Sequence, residues 1–523
     1  KGGTWNNELE AYYPYEGYPF IAASEADDLP GTYKYAYKDP TNMCASFYEF
    51  TNNQGELKRV CITGDGRLLD GDTGAARPNL NLQTYTRPDG TKSAWAIVAY
   101  EETKGLGGGN PEHTGEGDYG DEYAPEEGKN VIYHSFDFQN PDVVSGGNIV
   151  NLPETDENGN PVYVVDELGN QILDFQGNPQ LAYENARRPR FIMQSKSGMG
   201  PSRTVMILLY KEGMEGKGRP SDIMMRRVVV PLTDKSLDNP YRFSNFVPDV
   251  QNVSTVTPIE VTESSGDPIS DDPWGAVKVV RWQQTVADLN NRSSANPYED
   301  ARAHRGDISG DFLVIGYTYT PNWGAYRNGN DKYDFFVRRS YDGGQTWTTD
   351  PAGQGVTNCD TFTDPITKEK TEVCNFYGPG QFEQARNVSQ LANNKLSVIE
   401  PRIVGTPGTI KNPNGTPTGK PEDINNPNVF YLSYGTANNV PTDVEDDEGE
   451  YATPMDLFYS FTTNRGESYV EVAWEVNPDS LGNYAGETVY RWASLAIGDY
   501  QQGEAQLRMT PDGSRFYATW LEE

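Results

Sequence analysis

An arginine recurs just before each of five apolar runs, with roughly 100 to 114 residues between successive members of the set. The five residues are Arg77, Arg188, Arg302, Arg402 and Arg508. A guanidinium group presents a rigid fork of donors that matches carboxylates and other oxyanions, so arginines that meet in the fold would bind an anionic ligand. The recurrence equally fits a structural role, in which each arginine pairs with a neighbouring repeat. We favour the structural role and keep anion binding and catalysis as alternatives.

A second pattern consists of aspartates at the start of three short Asp-x-x-Gly-Asn segments, at Asp156, Asp166 and Asp174. An Asp that caps a turn, followed by a Gly in a left-handed conformation, is typical of short hairpins. Clustered carboxylate and amide oxygens also suit a hard cation such as Ca²⁺. Because the spacing differs from that of the EF-hand loop, we favour turns and keep a calcium site as the alternative.

Two acidic insertions, residues 105–128 and 440–452, extend the case for calcium. The first contains Asp118 and Asp121 among several glutamates. Runs of like charge are usually solvated loops. Divalent cations bound there would, however, relieve the self-repulsion of an acidic chain. No cofactor is required by the sequence, and Ca²⁺ is the one that it suggests.

The four cysteines form two local pairs, Cys44 with Cys61 and Cys359 with Cys374. None lies in a Cys-x-x-Cys motif and the histidines are scattered, which argues against zinc, haem and iron–sulfur sites. Two disulfides are the preferred interpretation, and four buried free thiols are the alternative. Each disulfide would close a loop of about 15 residues, worth roughly 3 kcal/mol, and would indicate an oxidising compartment.

Two segments carry an eight-residue turn motif. The residues that fit the Asp-box pattern S-x-D-x-G-x-T-W are Ser340, Asp342, Gly344, Thr346 and Trp347. Residues 462–469 form a variant with Asn464 and Gly466 at the matching positions, and residues 50–56 form a more worn copy. In such a turn the Asp or Asn caps the backbone, the Gly adopts a conformation that a Cβ would hinder, and the aromatic ring packs between sheets. We therefore predict a structural role for these residues.

The elements that position all these residues are predicted to be strands, because no stretch keeps a helical apolar period over three turns. Apolar runs at 95–100, 205–210, 312–317, 429–434 and 516–520 are typical of buried strands followed by turns. A third strand then opens with a polar residue at Asn130, Asp222, Asp334 and Asp456. Strand order and spacing repeat together, which predicts blades or stacked sheets.

We predict one all-β domain over residues 1–523, with five countable repeats and a sixth if residues 240–300 contain one. Strands within residues 32–70 would complete the last repeat, since closure protects sheet edges. Long insertions are expected at about 105–128, 150–182, 240–300, 405–427 and 440–452. Two segments, Asn387-Val388-Ser389 and Asn414-Gly415-Thr416, also fit the glycosylation sequon.

The composition excludes several classes of function. With 43 Lys and Arg against 76 Asp and Glu, the net charge of −33 opposes binding to nucleic acid and to anionic membrane surfaces. The longest apolar runs are far shorter than the roughly 18 residues that span a bilayer, so no membrane insertion is expected within this chain. A content of 12% aromatic residues argues against a disordered chain.

The turn motifs on repeated strands resemble the Asp boxes of sialidase-type β-propellers. At finer grain the chain resembles the bacterial surface proteins grouped as choice-of-anchor O, through residues 85–90, 95–102, 156–161 and 184–188. The resemblance implies a propeller fold and a secreted protein retained at a bacterial surface. Sialidases hold a substrate carboxylate with three arginines beside a Tyr–Glu nucleophile pair and an Asp acid/base. Only Arg402 and Arg188 invite that comparison, and no Tyr, Glu or Asp can be assigned from position.

No nucleophile elbow, P-loop or dinucleotide-binding fingerprint occurs in the sequence. The preferred function is therefore non-enzymatic: a structural or adhesive surface component whose loops contact a glycan, cations or other surface proteins. A sialidase-like glycoside hydrolase is the alternative. A subunit of an extracellular filament, formed by self-assembly, is a further alternative.

Overall fold

A computed structural model shows an all-β chain, as the strand patterns predict. It describes residues 3–6, 11–14, 20–21, 35–36, 44–51, 57–63, 68–69, 75–86, 90, 92–103, 129–137, 148–156, 158–165, 169–171, 178–179, 181–193, 203–213, 221–231, 239–246, 250–254, 300–320, 333–363, 370–389, 397–406, 427–436, 444–445, 451–452, 455–475, 488–498, 500–510 and 514–522. A 3-10 turn at Phe243–Asn245 is the one helical element of this described part. None of the described helical segments could span a bilayer.

Thirty-one strands are present in the described residues. In chain order they are β1 (Gly3–Asn6), β2 (Ala11–Pro14), β3 (Phe20–Ile21), β4 (Tyr35–Ala36), β5 (Cys44–Thr51), β6 (Leu57–Thr63), β7 (Leu68–Leu69), β8 (Ala75–Thr86), β9 (Lys92–Thr103), β10 (Lys129–Asp137), β11 (Asn148–Ile149), β12 (Asn185–Met193), β13 (Arg203–Gly213), β14 (Asp222–Pro231), β15 (Gln251–Asn252), β16 (Asp300–Ser309), β17 (Phe312–Thr320), β18 (Asp334–Ser340), β19 (Val356–Thr363), β20 (Lys370–Tyr377), β21 (Arg386–Asn387), β22 (Ile399–Gly405), β23 (Phe430–Thr436), β24 (Val444–Glu445), β25 (Tyr451–Ala452), β26 (Asp456–Thr462), β27 (Val472–Glu475), β28 (Thr488–Arg491), β29 (Ala493–Ala496), β30 (Gln502–Met509) and β31 (Phe516–Glu522).

Five of the sheets correspond to the five predicted repeats. Their strand orders are β8–β9–β10–β11 (sheet A), β12–β13–β14–β15 (sheet B), β16–β17–β18–β21 (sheet C), β22–β23–β26–β29 (sheet D) and β30–β31 (sheet E). Strands that follow one another within a repeat are neighbours, so each sheet is a simple meander, with antiparallel register in A, C, D and E. Three hairpins are inserted into these meanders: β19–β20, β24–β25 and β27–β28. The second of them occupies the described part of the predicted insertion at 440–452.

Contacts within the chain define two compact units. The first comprises Lys1–Phe191, Leu208–Arg219 and Val228–Asp249, and it contains sheet A. The second comprises Ile192–Ile207, Pro220–Arg227 and Val250–Glu523, and it contains sheets C, D and E. Strands of sheet B fall into both ranges. The organisation of the whole chain as one domain stays a prediction.

The second strand of sheets A to D forms the core, because it has a neighbour on either edge. Strand β17 is buried along its whole length, and β23 is buried at all but one residue. The prediction of a buried strand at 516–520 is wrong, since Tyr517 is 55% and Trp520 is 40% exposed. Strand β31 has the same apolar composition but pairs only with β30, and no described strand lies along its other edge.

The two predicted turn motifs fold alike. Asp342 Oδ1 accepts hydrogen bonds from the backbone N–H groups of residues 345 and 346, at 3.0 and 2.8 Å, and Ser340 Oγ accepts one from Gly344 N at 2.8 Å. In the second turn, Asn464 Oδ1 accepts from Ser468 N at 3.0 Å and Thr462 Oγ1 accepts from Gly466 N at 2.9 Å. Both glycines have positive φ, +84° and +77°, where a Cβ would be strained. Trp347 is 1% exposed, and Thr346 Oγ1 donates to Asp342 Oδ2 at 2.6 Å.

A clamp that the sequence analysis missed joins the third and fourth strands. Ser254 Oγ donates to Asp222 Oδ1 at 2.9 Å and accepts from Ile223 N at 2.9 Å. Ser389 Oγ makes the equivalent bonds to Asp334 Oδ1 at 2.6 Å and from Phe335 N at 2.9 Å. Each serine ends an Asn-Val-Ser segment, at 252–254 and 387–389. Asn387 of the predicted sequon is 5% exposed, so this residue is buried within the fold.

The N-terminal strands β5, β6 and β7 form a sheet of their own among the described residues. Their predicted role in completing the last repeat stays a prediction. Cys359 and Cys374 face each other directly across β19 and β20, and Cys374 is disulfide-bonded. Cys44 lies opposite Thr63 and Cys61 lies opposite Phe47.

We predict that Ser389→Ala destabilises the protein by about 1–3 kcal/mol, because Asp334 and Phe335 N each lose a buried hydrogen-bond partner. Ser254→Ala should cost a similar amount, since it removes the same clamp one repeat earlier. The free energy of unfolding in urea measures both. The control is Ser494→Ala at an exposed position of β29, which should change stability by no more than about 0.5 kcal/mol. An equal loss in all three variants would contradict the clamp.

Candidate functional site

The first strands share a backbone irregularity that gathers charged residues. A residue with left-handed φ occurs in every one of them, at Arg77, Arg188, Ala303, Glu400 and Glu504, with φ between 51° and 57°. In four of the strands a register shift lies at this position, which marks a β-bulge. Non-glycine residues in this region cost about 1–3 kcal/mol each. The candidate site is the set of these five bulges and the charges around them, named here the bulge sites.

The five predicted arginines do not occupy equivalent places in the bulges. Arg77 and Arg188 are themselves the left-handed residues. Arg302 precedes Ala303 by one position, while Arg402 and Arg508 follow Glu400 and Glu504 by two and four positions. The structural repeat is therefore the bulge conformation, and the arginines recur near it without sharing a register.

In sheet A the bulge is organised around Glu101, whose side chain is 1% exposed. Its carboxylate accepts a hydrogen bond from Arg188 N at 2.7 Å, so it binds the left-handed residue of the next repeat. Arg77 Nη1 lies 3.3 Å from Oε1 and Lys129 Nζ lies 3.4 Å from Oε2. Arg77 reaches this buried acid from the surface, since its side chain is 55% exposed. Burial lowers the pKa of the nearby Arg187, against the opposing effect of Glu101.

Sheets D and E make a comparable contact, but here the acid lies on the first strand β22, whereas Glu101 lies on the second strand β9. Glu400 Oε2 accepts a hydrogen bond from Glu504 N at 2.7 Å, again at the left-handed residue of the next repeat. Arg402 Nε donates to Ala505 O at 2.9 Å, and its Nη2 lies 3.7 Å from Glu400 Oε2. Burial lowers the pKa of Arg402, and the two glutamates oppose that effect. A carboxylate on one first strand thus binds the bulge backbone of the following one.

The remaining predicted arginines make other contacts. Arg302 stacks on the ring of Tyr333, with 3.7 Å between its guanidinium carbon and the ring centroid. Arg508 Nη1 donates to Leu507 O at 2.7 Å. These contacts involve protein groups of the same compact unit.

A second junction recurs at the start of the first strands, two residues before the bulges. Ala301 N donates to Ser221 O, Val398 N to Tyr333 O, and Gln502 N to Met455 O, each at 2.7 Å. Side chains reinforce it: Asp300 Oδ1 accepts from Ser221 N at 2.8 Å, and Ser397 Oγ accepts from Tyr333 N at 3.2 Å. In the first unit, Asn185 Oδ1 accepts from Lys129 N at 3.1 Å. Successive repeats are thus joined by one bond type at equivalent positions.

A buried ionic network ties the turn at 462–469 to sheet C. Arg339 binds Glu383 through Nη2 at 2.7 Å and Nε at 3.1 Å. Its Nη1 donates to Arg465 O at 3.0 Å. Arg386 donates to the carbonyl oxygens of Gly466 and Glu467. The arginines therefore satisfy carbonyl groups of a turn in the next repeat.

A pair of buried carboxyl groups lies in the first unit. Burial, together with the negative charge of Glu184, raises the pKa of Glu212 well above its ordinary value. Leu152 N donates to Glu212 Oε1 at 3.4 Å, and Tyr210 lies beside the pair. Glu212 and Tyr210 are 0% exposed and Glu184 is 4% exposed.

Another acid, which is partly exposed, packs between first strands. The carboxylate of Asp307 on β16 lies directly over Gly405 on β22, where a Cβ would have no room. Burial raises the pKa of Asp307 to about 6.

Of the aspartates considered for calcium, Asp156 lies in the described structure. Its Oδ1 accepts hydrogen bonds from Asn158 N and Asn160 N, both at 2.8 Å, as the turn interpretation predicts. The hydrogen bonds from Asn160 lower the pKa of this exposed carboxyl. Asp118, Asp121, Asp166 and Asp174 lie outside the described residues. Within the described part, no group of three or more His, Cys, Asp or Glu side chains is placed to hold a metal ion.

Sequence reasoning missed the acids that organise the bulges and junctions, namely Glu101, Asp300 and Glu400. It also missed the serine clamps, although the repeated Asn-Val-Ser segments could have revealed them. Each such segment follows a third strand that opens with Asp. Comparing the segments with one another would have indicated a structural repeat.

No protein-family model matches the chain, and no curated protein matches it. Among solved structures, it is similar to a Trypanosoma rangeli sialidase in complex with 2,3-difluorosialic acid (covalent intermediate), at 10% identity over 71% of this chain, with a TM-score of 0.16. It is also similar to a mutant of that sialidase displaying trans-sialidase activity, at 10% identity over 71% of the chain, with a TM-score of 0.17. The match covers 57% and 58% of those two chains. Likeness at these TM-scores does not establish a shared fold.

We predict that Glu101→Gln lowers the free energy of unfolding by about 2–3 kcal/mol, because a buried charge that binds Lys129 and Arg188 N is lost. The matched control is Arg77→Ala. It removes a partner of the same carboxylate, but from a side chain that is 55% exposed, so it should cost less than about 1 kcal/mol. Urea denaturation gives both values, and equal losses would contradict the proposed organisation around Glu101.

We predict that Asp307→Asn stabilises the protein at neutral pH. Because the pKa of Asp307 is raised in the folded state, folding favours the protonated acid. Its contribution is fully present below about pH 4 and is lost as the pH rises through about 6. The variant should therefore gain up to about 3 kcal/mol over wild type near pH 7 and nothing near pH 4.

The control is Asp156→Asn, whose acid has a lowered pKa. That variant should lose stability at neutral pH and approach wild type in acid. Urea unfolding across the pH range measures both variants. A gain for Asp307→Asn that is independent of pH would show that the carboxyl does not titrate as described.

Proposed function

We propose that the chain is a secreted, surface-displayed β-propeller with a structural or adhesive function, which contacts glycans, cations or other protein subunits without performing catalysis. The observation that carries the proposal is the use of charged side chains at the repeat junctions. Glu101, Glu400 and Asp300 accept backbone N–H groups of neighbouring strands. A propeller requires such contacts between successive sheets, because each sheet must bury a face against the next.

The strand orders support the propeller in a second way. Sheets A to D are meanders of four strands, whereas sheet E has a first and a second strand only among the described residues. Residues 50–56 copy the turn that follows a third strand in sheet D. We therefore keep residues 32–70 as the proposed source of the missing outer strands, with five repeats or six.

Exposed aromatic side chains near sheet E supply a surface for glycans. Tyr500 is 62% exposed, Tyr517 is 55% exposed and Trp520 is 40% exposed. Such side chains offer an apolar ring together with a polar tip, which suits a partly polar ligand such as a sugar. A bacterial cell surface and its matrix would present both glycans and neighbouring proteins.

A sialidase-like glycoside hydrolase is the second candidate, and one observation favours it. Tyr210, Glu212 and Glu184 lie together in one compact unit, and Arg187 of that unit is affected by Glu101 and Arg77. A tyrosine beside a glutamate is the nucleophile pair that such an enzyme needs. However, Tyr210 and Glu212 are 0% exposed, so substrate access would require a rearrangement.

We predict that the full chain is retained on a broad glycan array and releases no sugar. The array is read both for bound protein and for free sugar, with excess calcium and with chelator. Tyr517→Ser should reduce retention at least several-fold if sheet E contacts the glycan. The control is Phe376→Ser on the β19–β20 hairpin, at a side chain that is 66% exposed.

Released sugar would overturn the non-enzymatic proposal, and its loss in Glu212→Gln would support the hydrolase. If the array shows no retention and no release, an assembly role is favoured. That role is tested by measuring the mass of the protein at increasing concentration. A melting temperature that is the same in calcium and in chelator would exclude a role for bound calcium in stability.

A further inference from the structure

The guanidinium of Arg338 on β18 is buried, with 2% of the residue exposed. It lies between two aromatic rings, 4.9 Å from the centroid of Trp347 and 5.6 Å from that of Phe382. These rings stabilise the positive charge through their faces, but they accept few hydrogen bonds from the N–H groups. Burial lowers the pKa of Arg338 to about 10, so the group remains a cation at neutral pH.

The hydrogen bonds of Arg338 are few. Its Nη2 donates to Glu383 O at 3.4 Å, at the long limit of such a bond. Nε and Nη1 have no hydrogen-bond partner among the described protein atoms. An arginine carries five N–H donors, and a buried charge without a partner is costly.

Two of the acids nearby are already used by other arginines. The carboxylate of Glu383 binds Arg339 at 2.7 Å and lies 3.8 Å from Arg386. Asp350 lies 3.6 Å from Arg465. Arg338 itself forms no salt bridge with a carboxylate among the described residues, so its buried charge has no acidic partner there.

We propose that Arg338 holds a small monovalent anion of the chloride class, enclosed between β18, Trp347 and Phe382. A halide is small enough for a buried position, accepts several N–H donors and neutralises one charge. It costs less to desolvate than a doubly charged phosphate, because it carries a single charge. The anion stabilises the fold and takes no part in glycan binding, so this site is independent of the proposed function.

The test is urea unfolding of the full chain in sodium chloride, compared with sodium gluconate at the same ionic strength. An anion that binds the folded state alone lowers the unfolding equilibrium constant by up to about tenfold for each tenfold rise in its concentration above the dissociation constant. Wild type should show this dependence on chloride and not on gluconate. No difference between the two salts would overturn the proposal.

Arg338→Met removes the cation and keeps an unbranched apolar side chain against the two rings, so it should fold and lose the chloride dependence. The control is Arg465→Met, which removes a partly exposed cation of the same network and should keep the dependence. A dependence that survives in Arg338→Met would place the anion elsewhere and overturn the assignment.

If Arg338→Met does not fold, crystals of wild type soaked in bromide decide the question. An anomalous peak within hydrogen-bond distance of Arg338 Nε or Nη1 would support the site. Bromide bound only at exposed lysines and arginines, or a water at the guanidinium, would mean an adventitious ion only and would overturn it.

Discussion

The need to satisfy backbone N–H groups where one first strand approaches the next is the constraint on which the rest of the structure depends. A left-handed bulge interrupts each first strand and turns backbone donors away from their own sheet. Glu101 accepts such a donor from Arg188, and Glu400 accepts one from Glu504. These two acids therefore couple sheet A to sheet B and sheet D to sheet E through the backbone of the bulges.

The same constraint accounts for two of the five arginines beside the bulges. Arg77, with Lys129, compensates the buried charge of Glu101, and Arg402 lies beside the partly exposed Glu400. The cations compensate the charge of the acids, and the acids accept hydrogen bonds from the backbone. An arginine side chain is long and can reach an acid from several positions. The position of the arginine relative to the bulge therefore varies between the first strands, whereas the bulge itself recurs in each of them. At these two positions, the arginine that first suggests an anion-binding ring forms an ion pair within the protein.

Local patterns in the sequence predict the strands, the third strands that open with Asp, and the turns at 340–347 and 462–469, because period and turn chemistry are set by neighbouring residues. The partners of Glu101 and Glu400 could not be predicted in this way, since the bonds join residues 87 and 104 positions apart. The exposure of β31 was missed for a related reason: an apolar run predicts burial, but burial also requires a strand on its second edge. A comparison between the repeats could have predicted the serine clamps at Ser254 and Ser389.

In the network around Glu383, away from the bulges, cations and not acids satisfy the backbone groups. There the turn at 462–469 presents carbonyl groups, so arginines become the groups that satisfy the backbone, through Arg339 to Arg465 O and Arg386 to Gly466 and Glu467. Acids bind N–H groups at one end of the repeats and cations bind C=O groups at the other. A protein with a net charge of −33 therefore concentrates buried positive charge at these turns. Among these cations Arg338 has buried N–H groups without a partner in the described structure, and it is therefore the one for which we propose an anion.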